Sequence, residues 1–317
     1  MSRPRTMVQQ ARTYLEHRRA MGFELRCSGE LVLRFAEFVD RSGRRGPLTT
    51  DLILHWVRLP KAAARSYLGS RLSAVRGFAR YLAARDGRSE VPDWRLLSKS
   101  LQCQPHLFDE HQLEQLLAAA RQLRSTYKLR PLTYETLFGL LASTGLRISE
   151  ALKLTREQAD LERGILRVER TKFKKSRLVP LHSTAVQALR RYAAVRDRQW
   201  GSHAERAFFP DRHGLALQYP TVVVVFRQLC RNLGWHQGNG ERPRPRIHDL
   251  RHSFACRCLL RWYQDGENVH HHIAALSTYL GHSHVTGTYW YLTATPALLA
   301  VAGSRFERFA TTKGDAL

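Results

Sequence analysis

The sequence predicts a mainly α-helical chain with one small β-hairpin in its second half, an α+β protein of two domains. Three observations lead there. A length of 317 residues suits two domains at roughly 100–200 residues each. Apolar residues recur at helical spacing through most of the chain. One stretch, Gly164 to Leu181, instead carries two short aliphatic runs around a polar turn, Thr171 to Ser176. Hydrophobic residues make up 43%, enough for sizeable cores.

Taken in order, Met7 to Ala20 is amphipathic. Ser28 is a candidate cap for a helix whose Leu31, Phe35 and Phe38 share a face, and Ser42-Gly43 ends it. Thr50 or Asp51 caps a short segment that stops before Pro60. Lys61 to Arg85 is a long basic helix with Gly87 as its stop. The pattern fades between Arg88 and Leu107, so we draw a helical domain at 1–100, a linker at 101–108 and a second domain at 109–317. In the second domain Asp109 caps a helix to Leu123, Leu132 to Ser143 reads as buried, and Ile148 to Leu154 is short. After the hairpin, helices dominate to Val301.

With 51 Lys+Arg against 27 Asp+Glu, the formal net charge is +24. Self-repulsion of that size points to a polyanionic partner, nucleic acid first and an anionic membrane surface second. Residues 1–105 carry net +11 and the remainder +13, so both halves are basic, as a protein that wraps a polyanion requires. No window approaches the roughly 18 apolar residues that span a bilayer. No apolar stretch follows the basic start, so no secretory signal is expected. Five scattered cysteines without a C-x-x-C argue for a reducing compartment. The expected location is cytoplasmic.

Four clusters carry the chemistry. In Thr144-Gly145-Leu146-Arg147-Ile148-Ser149-Glu150, a guanidinium sits at a helix junction with a carboxylate one turn on to steer it. The turn holding Lys172, Lys174, Lys175 and Arg177 puts four cations in six residues. His248 and Arg251 are three apart and project from one helical face, a poor core pair but a sensible one around a phosphate. Last comes Leu280-Gly281-His282, followed by Tyr289-Trp290-Tyr291; two tyrosines two apart cannot share a helical face. The plainer readings are a structural Arg–Glu pair, a solvated turn and a packed tyrosine. His252 reads as packed or capping, and His270, His271 and His272 as a solvated run, since consecutive histidines diverge on a helix.

Together these clusters resemble the tyrosine recombinase (phage integrase) family. The order Arg, Lys, His-x-x-Arg, Leu-Gly-His, Tyr is complete and spans roughly residues 108 to 302. The resemblance implies Arg147, Lys172, His248, Arg251, His282 and Tyr291 as catalytic, with Glu150 in support. Tyr291 follows from the family's spacing of nine residues past the Leu-Gly-His histidine, which makes Tyr289 the decoy; Lys174 and Lys175 stand as alternatives to Lys172. The helical first hundred residues look like the family's core-site DNA-binding domain, closing with the catalytic domain into a C-shaped clamp. Arg65, Arg71, Arg76 and Arg80 would contact DNA there, with Lys174, Lys175 and Arg177 from the hairpin. The connection from Arg251 to His282 is longer than in compact Xer-type members. It looks like recombinases of transposon-like elements that encode several such enzymes together.

The implied chemistry needs neither ATP nor metal, nor any other cofactor. Tyr291 attacks a phosphodiester, the two arginines and His282 hold the charge, Lys172 protonates the leaving 5′-oxygen, and a 3′-phosphotyrosine stores the bond energy for rejoining. The implied partners are double-stranded DNA with inverted core sites and a homo-tetramer, or a hetero-assembly with related recombinases, its C-terminal segment docking on a neighbour; no membrane is involved. The competing readings are a catalytically silent accessory factor, a type IB topoisomerase and, last, a histidine metal site.

Overall fold

The structure, a computed structural model, describes residues 6–97, 105–169, 176–201, 206–235, 244–282 and 284–293, with 290–293 described through their backbone. It divides into two compact units, Met1–Cys103 and Gln104–Leu317. The first holds helices α1 (Met7–Ala20), α2 (Arg26–Arg41), α3 (Thr50–Arg58) and α4 (Arg65–Asp86). Thr6 caps α1 by accepting from the Gln9 backbone N–H, and Gln9 returns a bond to Thr6. The start of α2 departs from the sequence reading. Its cap is Leu25 in a left-handed conformation (φ +45°), three residues ahead of Ser28. Thr49, one residue earlier than expected, caps α3. Ala11, Phe35, Ile53, Val57, Val75 and Phe78 meet in the core, each removed from solvent. Truncating a side chain such as Phe35 there would cost about 3–5 kcal/mol.

The second unit is helical around a three-stranded antiparallel sheet. Helix α5 (Glu110–Arg121) starts at Asp109, which forms a capping box with Gln112. Helices α6 (Leu129–Thr144) and α7 (Ile148–Lys153) follow. Strands β1 (Ala159–Asp160), β2 (Ile165–Val168) and β3 (Arg177–Pro180) lie in the order β1-β2-β3. The hairpin pairs Leu166 with Val179 and Arg167 with Leu178. Leu166 and Val179 turn inward and are fully buried, while Leu178 is 61% exposed, the alternation expected of a sheet with one covered face. The short β1 was not anticipated. Its two residues are too few to leave a period.

Helices α8 (Ser183–Trp200), α9 (Tyr219–Asn232), α10 (Asp249–Gln264), α11 (Val269–Leu280) and α12 (Thr286–Thr293) complete the unit. Both α10 and α11 pack against α12. None of the described helices is long and apolar enough to cross a membrane.

Candidate active site

The site forms where α6, α10 and α11 end or begin. Helix α6 closes on Gly145 at φ +62°; a Cβ there would lie 2.5 Å from Phe254 Cδ1 and 2.9 Å from Leu280 Cδ2. Only glycine suits that position. Two residues later Arg147 occupies the N-cap of α7. The Glu150 carboxylate accepts the Arg147 backbone N–H at 3.0 Å and its Nη1 at 2.9 Å. It also accepts Nη1 and Nη2 of Arg177, at 3.1 and 2.8 Å. Burial alone would raise the Glu150 carboxyl. The hydrogen bonds and charge of Arg177, then those of Arg147, overcome that and hold it below the usual carboxylate range.

The C-terminus of α11 gathers the guanidinium groups. Arg177 Nε donates to the Tyr279 carbonyl at 2.8 Å. Arg251 Nη2 donates to the Leu280 carbonyl at 2.8 Å, and its Nη1 to the Gly145 carbonyl at 2.8 Å. Arg147 Nη2 donates to the Gly281 carbonyl at 2.7 Å. Three arginines thus satisfy the carbonyls that a helix end leaves unpaired, at its negative pole. Gly281, at φ +69°, permits this. A Cβ on it would fall 2.8 Å from Arg177 Nη1.

Two histidines flank the arginines. His248 sits at the N-cap of α10, its ring edge-on to His252 with centroids 4.6 Å apart. Crowding by the surrounding protein, then the charges of Arg251, Arg147 and Arg246, push His248 down to about 4. His282 follows the cap of α11 and exchanges a 2.7 Å hydrogen bond between Nδ1 and Thr288 Oγ1. Burial, then Arg251, Arg147, His248 and Arg177, push it down to about 4 as well. Both imidazoles are therefore neutral near pH 7. Asp249, fully buried, accepts the Arg246 backbone N–H at 2.8 Å and its Nη2 at 3.0 Å, which fixes the entry to α10.

Of the residues singled out in the sequence, the structure brings together Arg147, Glu150, His248, Arg251 and His282. Tyr291 lies on α12, where the backbone alone is described. Lys172, Lys174 and Lys175 lie outside the described residues, as does the segment after Thr293 that was expected to dock on a neighbour.

Two DNA-contact assignments are corrected. Arg177 is not part of the hairpin's solvated tip. Its side chain is 12% exposed and bound to Glu150 and Tyr279, so it belongs to the framework of the site. Arg71 is buried, its guanidinium 3.5 Å over the Trp56 ring with Nη2 on the Trp56 carbonyl at 2.6 Å. It cements α4 to α3. Arg76 is half-buried with Nε on the Pro92 carbonyl at 2.6 Å, whereas Arg65 and Arg80 are exposed. In the histidine run, His272 pairs with Glu267 at 2.8 Å and stacks on Trp262. Sequence reasoning missed Thr288 and the framework role of Arg177. The second had a signal, since Arg177 is the first residue of a strand whose next inward position, Val179, is core.

The model of the phage integrase family matches residues 106–297. The putative integrase/recombinase y4rB of Sinorhizobium fredii is 38% identical over 308 residues, 96% of this chain and 98% of that protein. The tyrosine recombinase XerC of Azotobacter vinelandii is 34% identical over 227 residues, 71% of this chain and 68% of that protein. Among solved structures, the Tn1549 transposon integrase in complex with a circular intermediate DNA aligns with a TM-score of 0.69 at 19% identity, covering 96% of this chain and 99% of that one. XerH recombinase bound to a palindromic difH substrate aligns with a TM-score of 0.65 at 18% identity, covering 95% of this chain and 85% of that one. The structures share the fold, and the family model and the sequence relatives go further. This chain belongs to the phage integrase family, the tyrosine recombinases.

Proposed function

We propose that this chain cuts and rejoins DNA at specific sites through a 3′-phosphotyrosine on Tyr291, with the arginine–histidine cluster holding the scissile phosphate. One observation carries the reading. Arg147 and Arg251 are anchored side by side on the carbonyls of Leu280, Gly281 and Gly145, with neutral His248 and His282 beside them. Carbonyls orient a guanidinium without cancelling its charge, so the cluster stays cationic. The Glu150 carboxylate beside Arg147 is already shared between Arg147 and Arg177. That is an anion site prepared before the anion arrives, the arrangement that stabilises developing negative charge in a transition state.

In the proposed reaction the Tyr291 hydroxyl oxygen attacks phosphorus. A free tyrosine titrates near 10 and needs a base at neutral pH. His248, neutral there, accepts or orients the proton. The bond from phosphorus to the 5′-oxygen breaks as Lys172 supplies a proton to the leaving group, and the phosphate stays on Tyr291 as a diester. A second 5′-hydroxyl reverses the step, so the bond count is conserved and no external energy enters. The basic character of both halves supports an extended DNA contact. Relatives named integrase/recombinase support the movement of a mobile element as its context. We place four chains on paired inverted sites, as a homo-tetramer or together with related recombinases.

The test is a trapping experiment. Nicked duplexes tiled across the DNA flanking the chain's own coding sequence are incubated with protein and chelator, and a denaturation-resistant protein–DNA adduct is sought. We expect an adduct that Tyr291→Phe abolishes and Tyr289→Phe keeps. Tight binding to a duplex with no adduct would favour the accessory-factor reading.

A further inference from the structure

His282 is held more completely than a side chain at a helix end needs to be. Its backbone N–H donates to the Ser277 carbonyl at 2.9 Å and the Gly281 N–H to the Thr278 carbonyl at 3.0 Å, which fixes the chain on leaving α11. Its ring is then fixed from a different element. Nδ1 lies 2.7 Å from Oγ1 of Thr288, a fully buried residue on α12. Thr288 stands in the first turn of α12, where its hydroxyl is open to a partner outside its own helix. Here it is spent on the imidazole six residues earlier. The packing is close on this side too, since a Cβ on Gly287 would sit 3.7 Å from the same Nδ1.

The imidazole carries one proton near pH 7, so which nitrogen holds it decides what the ring can do. A phosphate oxygen only accepts, and a ring nitrogen facing it must donate. A hydroxyl can donate or accept, and it rotates to suit. We propose that Thr288 is a positioning residue: its hydroxyl donates to Nδ1 of His282, fixing the imidazole with its proton on Nε2, aimed as a donor at the phosphate. This rests on the reading that the cluster binds the scissile phosphate. It adds a device to it. Because Thr288 is three residues before Tyr291 on the same helix, the bond also ties the seating of α12 to the readiness of the phosphate site.

The tautomer can be read without knowing the cognate DNA. The full-length protein, labelled with ¹⁵N-histidine, is observed by long-range ¹H–¹⁵N correlation at pH 7, and His282 is assigned with His282→Gln. We expect the wild-type ring as the Nε2–H form, with the Nε2–H resonance moved by titrated inorganic phosphate. Thr288→Val, which keeps the shape and removes the hydroxyl, should mix the tautomers, and Thr288→Ser should restore one. On a duplex that traps wild-type protein, Thr288→Val should slow adduct formation about tenfold, the scale of one oriented hydrogen bond. Duplex affinity should hold and Thr288→Ser should recover the rate. A wild-type ring protonated on Nδ1 would overturn the proposal, even if Thr288→Val failed to fold. So would Thr288→Ser remaining as slow as Thr288→Val, which would mean packing alone. An adduct persisting in Tyr291→Phe would instead sink the underlying reading, whatever the tautomer.

Discussion

Arg71 in the first unit and Arg251 in the second are both buried arginines held by backbone carbonyls, yet they serve opposite ends. Arg71 lies 3.5 Å over Trp56 and donates to the carbonyl of that same residue, so one helix supplies both its floor and its acceptor. Arg251 reaches two carbonyls from separate segments, Gly145 and Leu280, at the meeting of three helix ends. The first arrangement covers the face of the cation and spends it on gluing α3 to α4. The second leaves it among other cations and two neutral histidines. Burial of an arginine therefore does not mark function by itself. What sets Arg251 apart is the company of further like charges, which favours an anion beside it.

The strongest way to break this contrast is to remove the framework under Arg147. Arg177 and Glu150 form a nearly buried pair, with side chains 12% and 5% exposed. Arg177→Ala should cost about 3–5 kcal/mol in a denaturant titration, because it leaves a buried carboxylate with one partner fewer. Arg251→Lys comes next. An ammonium cannot span two carbonyls and a phosphate as a planar fork does, and we expect adduct formation to fall about 10²–10³-fold. Arg71→Leu should keep the adduct rate while destabilising the first unit by about 2 kcal/mol, the scale of a desolvated cation–π contact. Equal losses of rate in Arg251→Lys and Arg71→Leu would end the distinction.

Acid should also separate the two units. Burial and neighbouring charge push His248 and His282 down to about 4, and His252 down to about 3. In the unfolded chain the same rings titrate near 6.5. Between these values unfolding takes up protons, so the stability of the second unit falls as pH drops from about 6.5 toward 4 and returns as pH rises. His252→Gln should make the Tm of that unit less sensitive to pH across this window. An unchanged slope would show that its ring is not held neutral.

Sequence reasoning reached the site through features that local geometry preserves. His248 and Arg251 are one turn apart, Gly145 marks a helix junction, and Asp109 caps the first helix of the second unit. It failed where partners are distant. Arg177 meets Tyr279 across 102 positions and Glu150 across 27, and no period encodes such pairs. Arg71 was legible in principle, since residues 71, 75, 78 and 82 fall on one face and the other three are core. Its charge hides its register. The left-handed Leu25 that opens α2 left no trace, because leucine rarely adopts that conformation.

The smallest expected effect tests that register directly. Each phosphate contact adds about 0.9 to the slope of log affinity against log salt. Arg65 and Arg80 stand in solvent on α4, whereas Arg71 faces Trp56. If α4 lies along DNA, Arg65→Ala and Arg80→Ala should each lower the slope by about 0.9, measured by fluorescence anisotropy on a mixed-sequence duplex over a salt series. Arg71→Leu should leave it unchanged, even where protein stability falls. Arg76, half-buried on the Pro92 carbonyl, should fall between. A full unit lost from Arg71→Leu would mean that its guanidinium leaves Trp56 for a phosphate on binding. A flat series for Arg65 and Arg80 would move the DNA contact to another face of the unit.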